Sequence, residues 1–368
     1  MKLRSLELLR GLAALWVVLY HIQGVYNPDN YNWQGPIADF IAVGHSGVDL
    51  FFVISGFVIA WTSFLKPTPS RSPVQFAIRR FFRVAPLYWL ATILWAFVYP
   101  EGVTLERLAR SLAFMPTDIW PTPFYGFPVL YVGWSLNYEI YFYGIVLLLL
   151  VLRLDIASLI AAMAVMLIGV PLALTGLVSI NPGTGNTVPT AALKLATNPL
   201  VWEFVMGVVV AWVFKVTTRA SLPRGVWLGL GMLAIGWFIV FLTGSKEHFS
   251  LIYRGIPSAL LVYMTLEMER REVLRFGKFS EWAGSVSYAL YVVHPFVVIY
   301  AQKHLFLPPK EPHLTILAYL VLGGVSIALA AWVHRKVEQP IIQFGIDCSL
   351  WVSRLLPNPR AADDSSRQ

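Results

Sequence analysis

The chain has 368 residues, of which 57% are hydrophobic and only 13% are charged. Soluble domains carry about 25% charged residues, so this composition excludes an ordinary soluble protein, a disordered chain and a nucleic-acid-binding tail. The single cysteine, Cys348, excludes an intramolecular disulfide and a cysteine-cluster metal site. Repeated apolar runs of about 20 residues instead predict an all-α polytopic membrane protein.

Ten apolar segments are predicted to cross the membrane, because a helix needs about 20 residues to span about 30 Å of hydrocarbon. We place them at 8–25, 41–64, 85–99, 129–151, 156–178, 199–215, 226–243, 252–267, 284–301 and 314–334. Residues 100–128 are predicted to form an outer loop with a short surface helix before its prolines. A transmembrane domain is expected over 1–338, followed by a polar tail over 339–368 with an amphipathic stretch around 341–356.

The distribution of positive charge predicts the orientation. An even number of spans puts both termini on one side, and that side holds 21 of the 28 Lys and Arg residues. Since cytoplasmic loops carry an excess of these residues, both termini are predicted to be cytoplasmic. The excess of cytoplasmic cations accounts for the net charge of +8. The expected partner is therefore the lipid bilayer and not nucleic acid.

Ionisable side chains inside the spans mark a candidate site, since each costs about 2.5–3.5 kcal/mol at bilayer depth. In the first span, Arg10 and His21 are eleven residues apart. That separation is three turns plus about 20°, so both lie on one helix face, about 16 Å apart in depth. The alternative is an arginine that reaches the membrane surface and a hydrogen-bonded core histidine.

The second span carries a polar edge. His45 and Asp49 are spaced as an i,i+4 pair, and Gly56 continues the same stripe. A small residue on such a stripe predicts close approach of another helix. The alternative to a functional role is a buried structural His–Asp pair.

The fourth span contains Glu139, with Ser135 on the same face, about ten residues in from the outer side. At that depth a carboxyl group is either protonated or paired with a cation. We therefore predict a functional role for Glu139.

The ninth span places Tyr291 and His294 on one face, with Pro295 beside them. The proline removes a backbone hydrogen bond and predicts a kink, and His294 is alternatively a cap for the carbonyl freed there. His21, Glu139 and His294 all reach similar depth. We expect them to converge on one cavity, although hydropathy does not show which helices touch.

A cytoplasmic loop after the second span is predicted to hold a cluster of Arg79, Arg80 and Arg83. Arg80 and Arg83 would be adjacent on a helix, and guanidinium groups suit bidentate contacts with phosphates. Binding of anionic lipid and enforcement of topology is the alternative.

In combination these segments resemble the acyltransferase-3 family of integral membrane acyltransferases. The resemblance covers almost the whole chain, from ELLRGLAALWVVLYH (7–21, with Arg10 and His21) to VEQP (337–340). Between these segments it rests on GVDLFFVISGF (47–57), RRFFRVAPLYW (79–89), GWSLNYEIYFY (133–143) and SYALYVVHP (287–295). The fourth-span motif, with NPLVWEFVMG (198–207) and YRGIPSALLVY (253–263), is similar to bacterial members that acylate exopolysaccharides and other surface polysaccharides.

The resemblance implies transfer of an acyl group, usually acetyl, from cytoplasmic acyl-CoA to a sugar hydroxyl in the bacterial inner membrane. The acceptor is expected to be a surface polysaccharide or lipid-linked saccharide, or alternatively a small glycosylated molecule such as a macrolide. Arg10 and His21 match the family's paired functional residues, Arg80 and Arg83 match its RxxR motif, and Glu139 matches its acidic residue. One branch of the family carries a fused extracytoplasmic hydrolase-like domain that is not found in this sequence. If such an activity is needed, it is expected from another protein; otherwise the membrane domain is expected to act alone.

Acyl transfer from a thioester to a hydroxyl needs a base and donors for the developing oxyanion. We expect His21 to act as the base, or else as a transient acyl carrier, with Glu139 orienting it or balancing its charge. Arg10 would position the donor. Residues expected to hold the acetyl-CoA phosphates are Arg79, Arg80 and Arg83. Residues expected to assist the acceptor or oxyanion are His294, Tyr291, Ser135 and Asp49. No metal is expected to take part.

Two other functions are compatible with the pattern. A transporter or flippase of a sugar or lipid intermediate also has midplane ionisable residues, although no inverted repeat is evident in the sequence. A non-catalytic scaffold predicts that changes at His21 and Glu139 have no effect.

Overall fold

The computed structural model describes residues 3–23, 35–66, 72–117, 122–125, 128–217, 222–244, 249–304 and 312–355. Within these ranges the chain forms helices joined by loops, and no β-strand. The α-helices are α1 Arg4–Gln23, α2 Pro36–Ala42, α3 Gly47–Ala60, α4 Pro73–Val98, α5 Leu105–Leu112, α6 Gly133–Val151, α7 Ile156–Ala164, α8 Val170–Thr175, α9 Ala191–Ala196, α10 Trp202–Val216, α11 Arg224–Gly244, α12 Ile256–Arg270, α13 Lys278–His304, α14 Pro312–Val333 and α15 Gln339–Leu355. Wider helical turns at Trp61–Leu65, Val165–Gly169, Leu251–Gly255 and His334–Glu338 extend several of them.

Nine helical segments in the described ranges are long and apolar enough to cross a membrane. This confirms an all-α polytopic membrane protein, but not the predicted number of ten spans. The eighth predicted span is helical and forms α12 with the turn before it, yet Arg254 and Glu267 lie within it and it is not among the nine. The cytoplasmic location of both termini stays a prediction.

Helix α1 lies at the centre of the bundle, against α3, α12, α13 and α14. It approaches α13 closely, because a Cβ added to Gly11 would lie only 2.6 Å from the Cβ of Ala283. The two helices run parallel from this point. His21 and His294 lie about three turns further along their helices, and the packing therefore brings them together.

The predicted close approach at Gly56 is confirmed. A Cβ at this position would overlap the carbonyl oxygen of Phe204 in α10, and a Cβ on Gly207 would overlap the carbonyl oxygen of Val53. Each helix thus presents a glycine to the other's backbone, which allows α3 and α10 to pack at short distance.

Replacement of Gly56 by alanine is expected to destabilise the protein by about 1–3 kcal/mol, since the added methyl group forces α3 and α10 apart. Thermal unfolding of the purified protein in detergent measures the effect. Gly144→Ala is the matched control, because Gly144 lies inside α6 with nothing within 4 Å of its Cβ position. Unfolding of Gly56→Ala at or above the wild-type temperature would contradict the packing.

Helix α4 begins twelve residues earlier than the predicted span at 85–99. Ser72 caps it by accepting a hydrogen bond from the Gln75 amide at 3.3 Å, and Pro73 occupies its first turn. The arginine cluster at 79–83 therefore lies on this helix, and its placement in a loop was wrong. Hydropathy detects only the apolar half of such a helix.

The segments outside the spans are partly as predicted. The short helix expected within 100–128 is α5, which Thr104 caps by accepting a hydrogen bond from the Arg107 amide at 3.1 Å. The amphipathic stretch around 341–356 corresponds to α15, which packs against α4. The domain boundary after 338 stays a prediction, and the end of the predicted tail, 356–368, lies outside the described residues.

Candidate active site

A cavity of about 120 Å³ lies among α1, α3, α4, α6 and α13. Its polar lining comes from Arg10, Ser55, Arg80, Arg83, Ser135, Glu139, Tyr143, Ser287, Tyr288 and Tyr291. Six of these residues belong to the predicted site, namely Arg10, Arg80, Arg83, Ser135, Glu139 and Tyr291. The cavity thus unites side chains from the first, fourth and ninth predicted spans with two arginines of α4.

Glu139 is the acidic residue of this lining. Its Oε1 accepts hydrogen bonds from Ser55 Oγ at 3.2 Å and from the Tyr143 hydroxyl. The Arg80 guanidinium lies 5.4 Å from the centre of the Tyr143 ring, in cation–π geometry. Two of the three lining guanidinium groups already have a carboxylate partner outside the lining, Arg10 with Glu7 at 3.4 Å and Arg83 with Glu338 at 2.8 Å. Arg80 is therefore the lining guanidinium that suits an anionic ligand best.

Arg83 is held by a buried carboxylate outside the lining. Its Nη1 donates to Glu338 Oε1 at 2.8 Å, and Glu338 is only 1% exposed. The other carboxylate oxygen of Glu338 lies 2.8 Å from His334 Nδ1. Glu338 was not predicted as a site residue, although it is an acidic residue four positions after the last predicted span.

Replacement of Glu338 by glutamine is expected to raise the KM for the acyl donor, because Arg83 loses the partner that fixes its direction. Breaking a buried ion pair also costs about 3–5 kcal/mol of stability. Steady-state kinetics and thermal unfolding measure the two effects. Glu106→Gln is the control, since the Glu106–Arg110 pair on α5 is exposed and such pairs are worth about 0.3–0.5 kcal/mol. Equal stability of the two variants would contradict the role of Glu338.

The structure separates Arg79 from its two neighbours. The Arg79 Nε atom donates to Ser349 Oγ on α15 at 3.0 Å, and the residue does not line the cavity. Arg79 and Arg80 point in directions about 100° apart because they are consecutive on a helix. Of the three predicted phosphate ligands, two therefore reach the cavity.

His21 and His294 form a pair. His21 Nδ1 lies 2.9 Å from the Val17 carbonyl oxygen and 3.3 Å from His294 Nε2, and His294 Nδ1 lies 3.0 Å from the Leu290 carbonyl oxygen. A carbonyl oxygen only accepts, so in the neutral pair both Nδ1 atoms carry the proton. The single Nδ1 proton of His21 is then shared between the Val17 carbonyl oxygen and His294 Nε2, and His21 Nε2 keeps its lone pair.

Tyr291 lies between this pair and the cavity. Its ring centre is 6.1 Å from that of His294, and its hydroxyl oxygen is 2.7 Å from Ser135 Oγ. The Tyr291 hydroxyl also donates to the Val132 carbonyl oxygen at 3.1 Å. Tyr291 therefore lines the cavity and its ring neighbours His294, which places the histidine pair beside the cavity.

The contacts of Glu139 differ from those expected. Its hydrogen-bond partners among the described residues are Ser55 and Tyr143, whereas the side chain facing His21 is His294. The expected orientation of His21 by Glu139 therefore does not occur through direct contact. Depth along each span was insufficient to predict this, because pairing also depends on how each helix is rotated.

Asp49 lies outside the cavity. Its carboxyl group lies near that of Glu203 and near the Arg254 guanidinium, and all three side chains are at most 1% exposed. His45 lies in the turn before α3, with its ring centre 5.2 Å from that of Tyr20. The i,i+4 geometry predicted for His45 and Asp49 therefore does not apply.

The sequence profile of an acyltransferase domain family, acyltransferase-3, matches residues 3–335. The chain belongs to the acyltransferase-3 family. The match covers all the cavity-lining residues and both histidines, and it confirms the resemblance and the assignment as an acyltransferase.

Several relatives of this acyltransferase span most of its length. It is 30% identical to the exopolysaccharide production protein ExoZ of Rhizobium meliloti (strain 1021) over 82% of this chain and 91% of that protein. It is 28% identical to the acyltransferase MdmB of Streptomyces mycarofaciens over 93% and 92% of the two chains. The peptidoglycan O-acetyltransferase OatA of Listeria monocytogenes is 26% identical over 79% of this chain but only 48% of OatA. No solved structure matches the chain.

Proposed function

We propose that this acyltransferase moves an acetyl group from cytoplasmic acetyl-CoA to a sugar hydroxyl of a surface or exported polysaccharide. The supporting observation is a cavity lined by three guanidinium groups and by Tyr291, whose ring neighbours a histidine pair. Relatives named for exopolysaccharide production and peptidoglycan O-acetylation support the choice of acceptor. The enzyme is proposed to lie in the bacterial inner membrane with both termini in the cytoplasm.

The arginines define the donor end of the proposed site. Acetyl-CoA carries several phosphate charges that cannot enter hydrocarbon, and Arg80 and Arg83 offer guanidinium groups for them at the end of the bundle where α4 begins. Arg10 lies further along the same cavity. In this arrangement the nucleotide stays at the membrane surface while the thioester arm extends toward Tyr291.

The histidine pair is proposed to handle the proton. His21 Nε2 accepts the proton of the attacking sugar hydroxyl as that oxygen forms a bond to the thioester carbonyl carbon. The hydroxyl groups of Tyr291 and Ser135, which donate to the Val132 carbonyl oxygen in the structure, are proposed to turn from it and donate to the developing oxyanion. When the carbon–sulfur bond breaks, the proton on His21 passes to the coenzyme A thiolate, so that the products are an acetyl ester and free thiol.

Turnover by the purified protein tests the proposal. With radiolabelled acetyl-CoA and the polysaccharide of the host strain in lipid vesicles, we expect label in base-labile esters on the glycan. Deletion of the gene is expected to remove O-acetyl signals from NMR spectra of the purified surface glycans. Movement of a saccharide across the vesicle membrane without consumption of acetyl-CoA would instead identify a transporter. If label appeared only on a small glycoside, that glycoside and not the polysaccharide would be the acceptor.

A further inference from the structure

A second groove lies between α13 and the end of α14, outside the acyltransferase cavity. Trp282 and Ser285 line it from α13, and Trp332, Arg335 and Lys336 line it from α14 and the turn that follows. On both helices the spacing is i, i+3 or i+4, which places each tryptophan on the same face as the polar residues of the groove. The groove is therefore formed by one face of each of these two packed helices.

The cations of this groove have no anionic partner in the described part of the chain. Neither Arg335 nor Lys336 makes a hydrogen bond or ion pair with a described residue, and the groove lining contains no Asp or Glu. The nearest acidic residue in the sequence, Glu338, is buried against Arg83 and His334. Two exposed positive charges thus face the groove without compensation.

The depth of the groove corresponds to a membrane surface. The apolar segment of α14 from Ile316 to Val333 extends about 27 Å, close to the thickness of the hydrocarbon layer. Arg335 and Lys336 follow directly and so lie at the level of the lipid headgroups. Trp282 and Trp332 are 44% and 60% exposed, as tryptophans at a membrane interface are.

We propose that this groove binds the headgroup phosphate of an anionic phospholipid. The phosphate would contact Arg335 and Lys336, and the lipid chains would extend along the apolar surface beside Trp332. Basic recesses between transmembrane helices on the cytoplasmic side bind anionic headgroups in this way. A free phosphate would make the same polar contacts but would leave the two tryptophans unused, which favours a lipid.

Lipid retention by the purified full-length protein tests the inference. Protein extracted from vesicles of equal phosphatidylglycerol and phosphatidylcholine is analysed by native mass spectrometry, and we expect phosphatidylglycerol to be enriched. The double variant Arg335→Gln/Lys336→Gln is expected to lower this enrichment about 30-fold, since each cation near an anionic headgroup contributes about a factor of five.

Arg275→Gln/Lys278→Gln is the matched control, because it removes two exposed cations from the same end of the bundle without touching the groove. The control is expected to retain wild-type enrichment. Equal loss in both double variants would show a general charge effect and overturn the site. The lipid site would also be overturned if inorganic phosphate stabilised the wild-type protein against heat as strongly as phosphatidylglycerol does. The ligand of the groove would then be soluble.

Discussion

Replacement of His21 by asparagine is expected to lower kcat for acyl transfer about 10²–10⁴-fold, the usual contribution of a general base. The asparagine amide can still donate at the position of Nδ1, toward Val17 and His294, but it has no counterpart of the His21 Nε2 lone pair. The KM for acetyl-CoA is expected to change little, because the arginine-lined end of the cavity is untouched. Steady-state turnover of labelled acetyl-CoA with the glycan acceptor measures both constants.

His304→Asn is the matched control for this variant. His304 is exposed at the end of α13, where its ring contacts Tyr300, and its replacement is expected to leave kcat within about threefold, as for a surface change without a partner. A kcat of His21→Asn equal to that of this control would exclude His21 from the chemistry. Samples quenched with acid in the absence of acceptor distinguish a general base from an acyl carrier. If labelled acetyl is bound covalently to the wild-type protein but not to His21→Asn, His21 is an acyl carrier.

Replacement of Arg80 by glutamine is expected to raise the KM for acetyl-CoA about 10- to 150-fold, the value of one charged hydrogen bond to a phosphate. Arg80 lines the cavity and is held over the rings of Phe76 and Tyr143. The change is expected to affect KM more than kcat, since the nucleotide phosphates take no part in breaking the thioester bond. Kinetics at varied acetyl-CoA and saturating acceptor measure the two parameters separately.

Arg79→Gln provides an unusually close control, because it removes the same charge one residue away. Arg79 donates a hydrogen bond to Ser349 on α15 and does not line the cavity. We expect its KM for acetyl-CoA to stay within about threefold of wild type, as for a charge that makes no contact with the ligand. If Arg79→Gln raised KM as much as Arg80→Gln, positive charge at the membrane surface would be the determinant, and the cavity would not be the donor site.

The two histidines and the glutamate illustrate how far depth along a span predicts a site. His21, Glu139 and His294 were each placed near mid-membrane from their distance to the span ends, and the structure brings His21 and His294 into contact. Glu139 was expected beside His21 and instead accepts from Tyr143. Depth follows from counting residues at 1.5 Å each, whereas the partner of a side chain depends on the rotation and position of the neighbouring helix.

The sequence alone determined the membrane class and most of the polar residues that line the cavity. Ionisable groups are too costly in hydrocarbon to be frequent there, so Arg10 and Glu139 stand out without any structure. Only the tertiary structure decided that Arg80 and not Arg79 faces the cavity, and that Glu338 holds Arg83. These contacts join residues up to 270 positions apart in the chain, and they are set by the packing of helices that hydropathy treats one at a time.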